Sequence, residues 1–310
     1  MYRDSGISLK KELDIMSKRI FVSGSVSIDN TVFTNVMPSP GVTAKANSYI
    51  KNIGGKGANQ AIQAHLLGAD IFFFASVGLD EEGLYVSEYL KAKGLNCLLK
   101  ESNKPTGEAF ITINELTGEN QILIVQGANL TITNEDYDSL VETMRTCNIF
   151  LTQLETPIET VVHSLKLAKE LGLLTILNPA PYGNLPKDIY PYIDYLVPNE
   201  HELEQFVPNH TTFEDKATDL LKLGVRNVIV TLGEKGSMLV NKEEVIRVEP
   251  YKVNAVDTTA AGDSYLGALV SALSDGKDIV EAMKFASKCS SITVTRKGAI
   301  ESLPSLDEII

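Results

Sequence analysis

The chain has 310 residues, 44% of them apolar and 22% charged, a composition that suits a folded protein and shows no sign of disorder. A net charge of −12 argues against a nucleic-acid binder, and it leaves any anionic ligand to be held by local groups, such as helix N-terminal amides or a divalent cation. Cys97, Cys147 and Cys289 form neither a disulfide framework nor a zinc spacing, and no apolar run reaches the ~18–20 residues of a membrane span.

Residues 1–17 are polar and lack the apolar core of a secretory signal, so a reduced, cytoplasmic protein with no membrane partner is expected. Met16 stands just before the first strand pattern, and an alternative start there is open. The run 19–24 is β-branched and apolar, as a buried strand is. Residues 31–53 alternate loosely around Pro38, Pro40 and Gly41, as short exposed strands do. Gly54-Gly55 then opens a helical pattern that ends at Gly68.

From there strand and helix alternate. Strands are expected over 71–77, 96–99, 149–152, 173–177, 195–197 and 227–231. Helices are expected over 81–93, 133–145, 158–171, 200–207, 213–223, 262–274 and 279–295. Residues 110–114 and 121–125 flank a turn at 116–119 and are expected to pair with the 31–53 strands in a small separate sheet. This rhythm predicts an α/β fold: a doubly wound, mostly parallel sheet with helices on both faces, plus a small β-sheet lid. One large domain with such an accessory element fits the length as well as two domains do. In these sheets ligands bind beyond the carboxyl ends of the strands.

Asp257-Thr258-Thr259-Ala260-Ala261-Gly262-Asp263 begins one of the last helices. Small residues let backbone N–H groups approach a phosphate, the helix dipole adds positive potential, and Asp263 is placed to accept a hydroxyl proton. Asp263 as a plain helix cap is the alternative. Asn52-Ile-Gly-Gly-Lys-Gly-Ala-Asn59 is a second glycine-rich turn, neither a Walker A loop nor a GxGxxG turn. Gly54 and Gly55 would present backbone groups to a small polar ligand, with Lys56 and Asn59 as side-chain partners. A tight turn with a solvated lysine is the other reading. Asp29, Glu155 and Pro198-Asn199-Glu200-His201-Glu202 each follow a predicted strand, and singly each reads as well as a cap or surface acid. Asn199 and Glu202, three apart, suit the orientation of metal-bound water. The loop 231–236 either passes a nucleotide or is a hairpin turn.

Together these segments resemble the ribokinase family of carbohydrate kinases over about 18–304. Gly54–Ala61 looks like the family's sugar-side signature and Val256–Asp263 like its catalytic one. Gln153-Leu-Glu155, Asn178-Pro-Ala-Pro181, Pro198-Asn-Glu200, Thr231-Leu-Gly233 and Val294–Ala299 fall in the family's order. The resemblance implies an extension over 1–17 and one kinase domain over 18–310, with a lid from about 30–53 and 105–126 that pairs two subunits in a homodimer. It also implies γ-phosphoryl transfer from Mg2+-ATP to the 5-hydroxyl of ribose. Asp263 would be the base and the backbone of Ala260, Ala261 and Gly262 the anion hole. Ser27, Asp29, Gly54, Gly55, Lys56, Asn59 and Glu155 would surround the sugar. Asn199, Glu202, Thr231, Gly233 and Gly236 would lie on the nucleotide side, with Glu202 reaching magnesium through water. Asp257, Thr259, Thr293, Arg296, Gly298 and Ser302 match a site for activating potassium. Ser27 departs from the family, whose ribose kinases usually carry Asn there, so 2-deoxyribose or another sugar or nucleoside is an alternative substrate. A non-catalytic sugar sensor is a further alternative, although an intact Asp263 argues against it.

Overall fold

The computed structural model describes residues 18–309; the expected extension over 1–17 lies outside the described residues. A nine-stranded sheet forms the body, in the order β13-β12-β11-β10-β9-β8-β1-β4-β5. Its members are β1 (Ile20–Ser23), β4 (Ile71–Gly78), β5 (Cys97–Ser102), β8 (Ile149–Thr152), β9 (Leu174–Leu177), β10 (Tyr195–Leu196), β11 (Asn227–Thr231), β12 (Ser237–Val240) and β13 (Val245–Val248). From β5 to β11 all pairs are parallel, while β12 and β13 add an antiparallel edge.

Period-two alternation sends Ile20 and Val22 to one face of β1 and Phe21 to the other. The first face packs on α1 (Lys56–Leu66), α8 (Ala261–Ser274) and α9 (Ile279–Thr293) through Ala58, Ile62, Leu269 and Met283. The second packs under α3 (Asn134–Ser139), α4 (Val141–Arg145), α5 (Ile158–Glu170), α6 (Glu200–Phe206) and α7 (Phe213–Leu223), around Phe74, Tyr137 and Phe150. The remaining helix is α2 (Glu81–Ala92), N-capped by Asp80.

A separate four-stranded sheet has the order β3-β2-β6-β7, from β2 (Ser27–Thr34), β3 (Ser48–Gly54), β6 (Gly107–Asn114) and β7 (Asn120–Val125). The chain crosses from β1 into β2 through Gly24–Val26, where Asn129 grips the Val26 peptide by both its N–H (3.0 Å) and its C=O (2.9 Å).

Two expectations are corrected, and of the two readings of 231–236 the hairpin turn is the form taken. The helix predicted over 133–145 breaks at Leu140, where Ser139 Oγ bonds Asp136 O in competition with the next turn. The 231–236 segment turns an antiparallel hairpin into β12, and the β12–β13 pair escaped the sequence reading. Asp29 is not a loop acid beyond the first strand but the third residue of β2. No helix among the described residues is long and apolar enough to cross a membrane.

Candidate active site

β1 has β4 on one side and β8 on the other, so the strand order reverses there, and polar groups gather beyond the ends of these strands. Ser25, just after β1, donates its hydroxyl to Glu155 beyond β8, and the same Glu155 Oε2 accepts the Lys56 N–H at 3.1 Å, at the start of α1. Gly55 caps α1 at φ +91, with Val26 Cα 2.8 Å from where a Cβ would stand, so conformation and close approach both require glycine.

Asp29 and Ser27 share a face of β2, and Ser27 Oγ donates to Asp29 Oδ1 at 3.1 Å. Opposite them, a Cβ on Gly54 would meet Asp29 Oδ2 at 2.2 Å; the missing side chain is the seat of this carboxylate. Burial first, then the negative charges of Glu155, Glu301 and Asp263, push the Asp29 carboxyl up to about 6 despite the bond from Ser27.

Asp263 lies in the first turn of α8 and is buried. Its Oδ2 accepts from Asn59 Nδ2 and its Oδ1 from Gln60 Nε2, both at 2.9 Å, so consecutive residues of α1 clasp the carboxylate. Asn59 Oδ1 is buried without a partner and remains able to accept a ligand hydroxyl. Ala260 caps α8 at φ +59, the one non-glycine positive φ among the described residues and a strained conformation; the Ala261 N–H that follows donates to Thr258 O at 3.2 Å. A Cβ on Gly262 would meet nothing within 4 Å, so the space beside this residue is open.

That cavity, of about 190 Å³, is lined by Lys56, Asn199, Glu202, Thr231 and Ala260–Asp263. It places Lys56 with the residues assigned to the nucleotide side. Burial opposes charge on Lys56, but Asp263, Glu155 and Glu202 outweigh it and raise its pKa, so the ammonium persists. Glu202 accepts from the Asn199 N–H and Nδ2, both at 2.9 Å, in a capping box; burial raises its carboxyl pKa against these bonds.

A larger groove of about 1030 Å³ adjoins through Asn199, Thr231, Ala261 and Gly262, and Gly233 and Gly236 line it. It also draws on Thr258, inside the segment that begins α8, and on residues 250–255, which carry no glycine or acid pattern that would have flagged them in the sequence. Gln60, Gln153 and Asn178 lay inside recognisable segments but had no assigned part.

The cation set stands apart, lining neither cavity. Asp257 Oδ1 accepts from Thr259 N at 2.9 Å and its Oδ2 from Gly298 N at 3.0 Å, which ties the two loops together. Burial opposes its ionisation, yet these bonds hold its carboxyl below the usual range. The Arg296 guanidinium pairs with Glu308, leaving only its carbonyl to the loop. Thr293 and Ser302 are buried hydroxyls that donate to Ser264 Oγ (2.8 Å) and Ala299 O (2.6 Å).

A phosphate-sized cavity at a helix N-terminus, beside a fixed carboxylate and a nucleotide-sized groove, defines a phosphoryl-transfer site. The chain belongs to the pfkB family of carbohydrate kinases, whose model matches residues 17–306. It is 40% identical over 307 residues to a ribokinase of Schizosaccharomyces pombe, covering 94% of this chain and 96% of that one. With a deoxyribokinase of Salmonella typhi it shares 35% over 296 residues, covering 93% and 96%. The structure of Arabidopsis thaliana ribokinase complexed with ribose and ATP superposes with a TM-score of 0.86 at 32% identity, covering 95% and 98%.

Proposed function

We propose that the chain transfers the γ-phosphoryl group of ATP to the 5-hydroxyl of D-ribose, giving ribose 5-phosphate and ADP. The observation that carries this is the clasped Asp263, standing where the anion cavity of α8 meets the acids of the β2–α1 side. Asp29 and Glu155 accept hydroxyl protons of the sugar, and Asn59 Oδ1 offers a further acceptor. Asp263 takes the 5-hydroxyl proton as the oxygen attacks phosphorus, the bond to the β,γ-bridging oxygen breaks, and the amides of Ala260 and Gly262 with Lys56 receive the equatorial charge, the Ala261 N–H being engaged by Thr258 O.

Mg2+ enters with ATP and neutralises its phosphates. Glu202 retains lone pairs beyond its two accepted bonds, which suits an acceptor for metal-bound water. The oxygen-only set around Asp257, with its ionised carboxylate and a carbonyl-rich loop at 293–298, suits potassium, which would steady the loop leading into α8. The small sheet serves as lid and dimer surface. Ile50, Ile122 and Ile124 share Asp29's face by register and stand 45%, 51% and 62% exposed, an apolar surface suited to a second copy. Three free cysteines agree with a reducing, cytoplasmic setting.

A coupled assay for ADP release with ribose tests the reaction; Asp263→Asn should abolish turnover while calorimetry still records ribose binding. Normal turnover in that variant would refute the assignment of the base. One observation favours a second sugar. Ser27 is buried with its hydroxyl spent on Asp29, so it offers little to a ring 2-hydroxyl, and 2-deoxyribose should be turned over well. Comparison of kcat/KM for the two pentoses decides between them.

A further inference from the structure

We propose that Gln60 and Gln153, with Asn178 bracing Gln60, form a buried carboxamide relay that aims the Asp263 carboxylate at the attacking hydroxyl; Gln60 and Gln153 are positioning residues that line neither cavity, while Asn178 also lines the 190 Å³ one. The inference rests on Asp263 being the base.

The polarity of the relay is fixed from one end. An ionised carboxylate only accepts, so the Gln60 amide must present its nitrogen to Asp263 Oδ1, at 2.9 Å. The second N–H of that nitrogen goes to Asn178 Oδ1 at 3.2 Å, and Asn178 in turn donates its Nδ2 to Val197 O at 3.0 Å. Gln60 Oε1 then needs a donor, and Gln153 Nε2 supplies it at 2.7 Å. Every polar atom of the Gln60 amide is therefore engaged, and none is left for a ligand.

Burial makes each of these bonds count, because Gln60 and Gln153 are 0% exposed and no water can replace a lost partner. The relay also accounts for Gly24: a Cβ there would stand 1.9 Å from Gln153 Oε1, so the glycine after β1 is the room in which Gln153 lies. Without Gln153, the Gln60 amide could turn its oxygen towards Asp263, and the carboxylate would face an acceptor in place of a donor.

The test uses the near-isosteric Gln60→Met and Gln153→Met, singly and combined, with steady-state kinetics for both substrates and thermal unfolding. Gln60→Met should lower kcat about 10–100-fold, as loss of a bond to a charged group does, with both KM values within about twofold of the parent. Gln153 acts only through Gln60, so the double variant should be no slower than Gln60→Met alone. Unchanged kcat in Gln60→Met, a loss confined to KM, or losses that multiply in the double variant would each overturn the relay. If Gln60→Met fails to fold, Gln153→Met decides by the same division between kcat and KM. Full turnover by Asp263→Asn would strike the base itself; an inactive Asp263→Asn beside a fully active Gln60→Met would strike only the relay.

Discussion

Asp29→Asn should make the ligand-free protein more stable and a worse enzyme. The Asp29 carboxylate is buried against Gly54, has one side-chain donor in Ser27, and faces Glu155, Glu301 and Asp263. Its pKa of about 6, against an ordinary 3.8, means that the fold favours the protonated form. The sign follows: above pH 6 the ionised group costs stability, and the cost fades as the pH falls towards 4. A rise from 3.8 to about 6 corresponds to ~3 kcal/mol near pH 8, falling to about 1.5 kcal/mol near pH 5. Asparagine can still accept from Ser27 Oγ and carries no charge, so urea unfolding of Asp29→Asn near pH 8 should show a gain of up to ~3 kcal/mol that shrinks on acidification. The ribose KM should rise about tenfold or more, because an acceptor-only carboxylate is replaced by a group that also donates. A variant that is less stable than the parent near pH 8, or whose gain is the same at both pH values, would refute the electrostatic reasoning.

Gly54→Ala drives a methyl into the Asp29 carboxylate, so it should raise the ribose KM by about 10-fold or more while leaving the ATP KM within about twofold, as the steric contact is on the sugar side only; initial rates with each substrate varied check this. Ala260→Gly relieves the αL strain at φ +59 and should change stability by no more than about 1 kcal/mol in either direction, against the uniform loss expected of glycine within a helix, as urea unfolding will report. Ser27→Asn restores reach and a second donor beside Asp29 and should shift the ribose to 2-deoxyribose kcat/KM ratio towards ribose by about 1–3 kcal/mol equivalent.

What the sequence made legible were features written in local periods. Short, continuous apolar runs rich in β-branched and aromatic residues placed β1, β4, β8 and β11, and glycine-rich turns marked both helix N-termini of the site. The β12–β13 hairpin escaped because Ser237-Met-Leu-Val240 is only four residues long and Met238 and Leu239 carry no β-branched signature, although the strand is as buried as β1. Asp29 was found as a candidate but misplaced, since the step from one sheet to the other at Gly24–Val26 has no signature of its own; it is held by Asn129, about a hundred residues away in sequence. The Gln60–Gln153–Asn178 relay was invisible for the same reason: it joins α1 with the ends of β8 and β9, and glutamine in a helix reads as an ordinary helix former until burial is known.

On the proposed reading, the charges of the site divide the entry of its two ligands. Lys56 is the one cation in the 190 Å³ cavity, and Asp263, Glu155 and Glu202 all act on it. With the chain itself at −12, the protein's own field opposes ATP, and the amides of α8 supply only partial charges against it. A neutral sugar meets no such barrier, since carboxylates are good acceptors for its hydroxyls. Mg2+ should therefore strengthen ATP binding by an order of magnitude or more and leave ribose binding unchanged within about twofold, because only the anion needs its charge reduced. Calorimetric titration of each ligand with Mg2+ and with EDTA measures both. Ribose affinity that fell with EDTA would place the metal's influence on the sugar side and contradict the division of the site into an acidic sugar pocket and an amide-lined phosphate cavity.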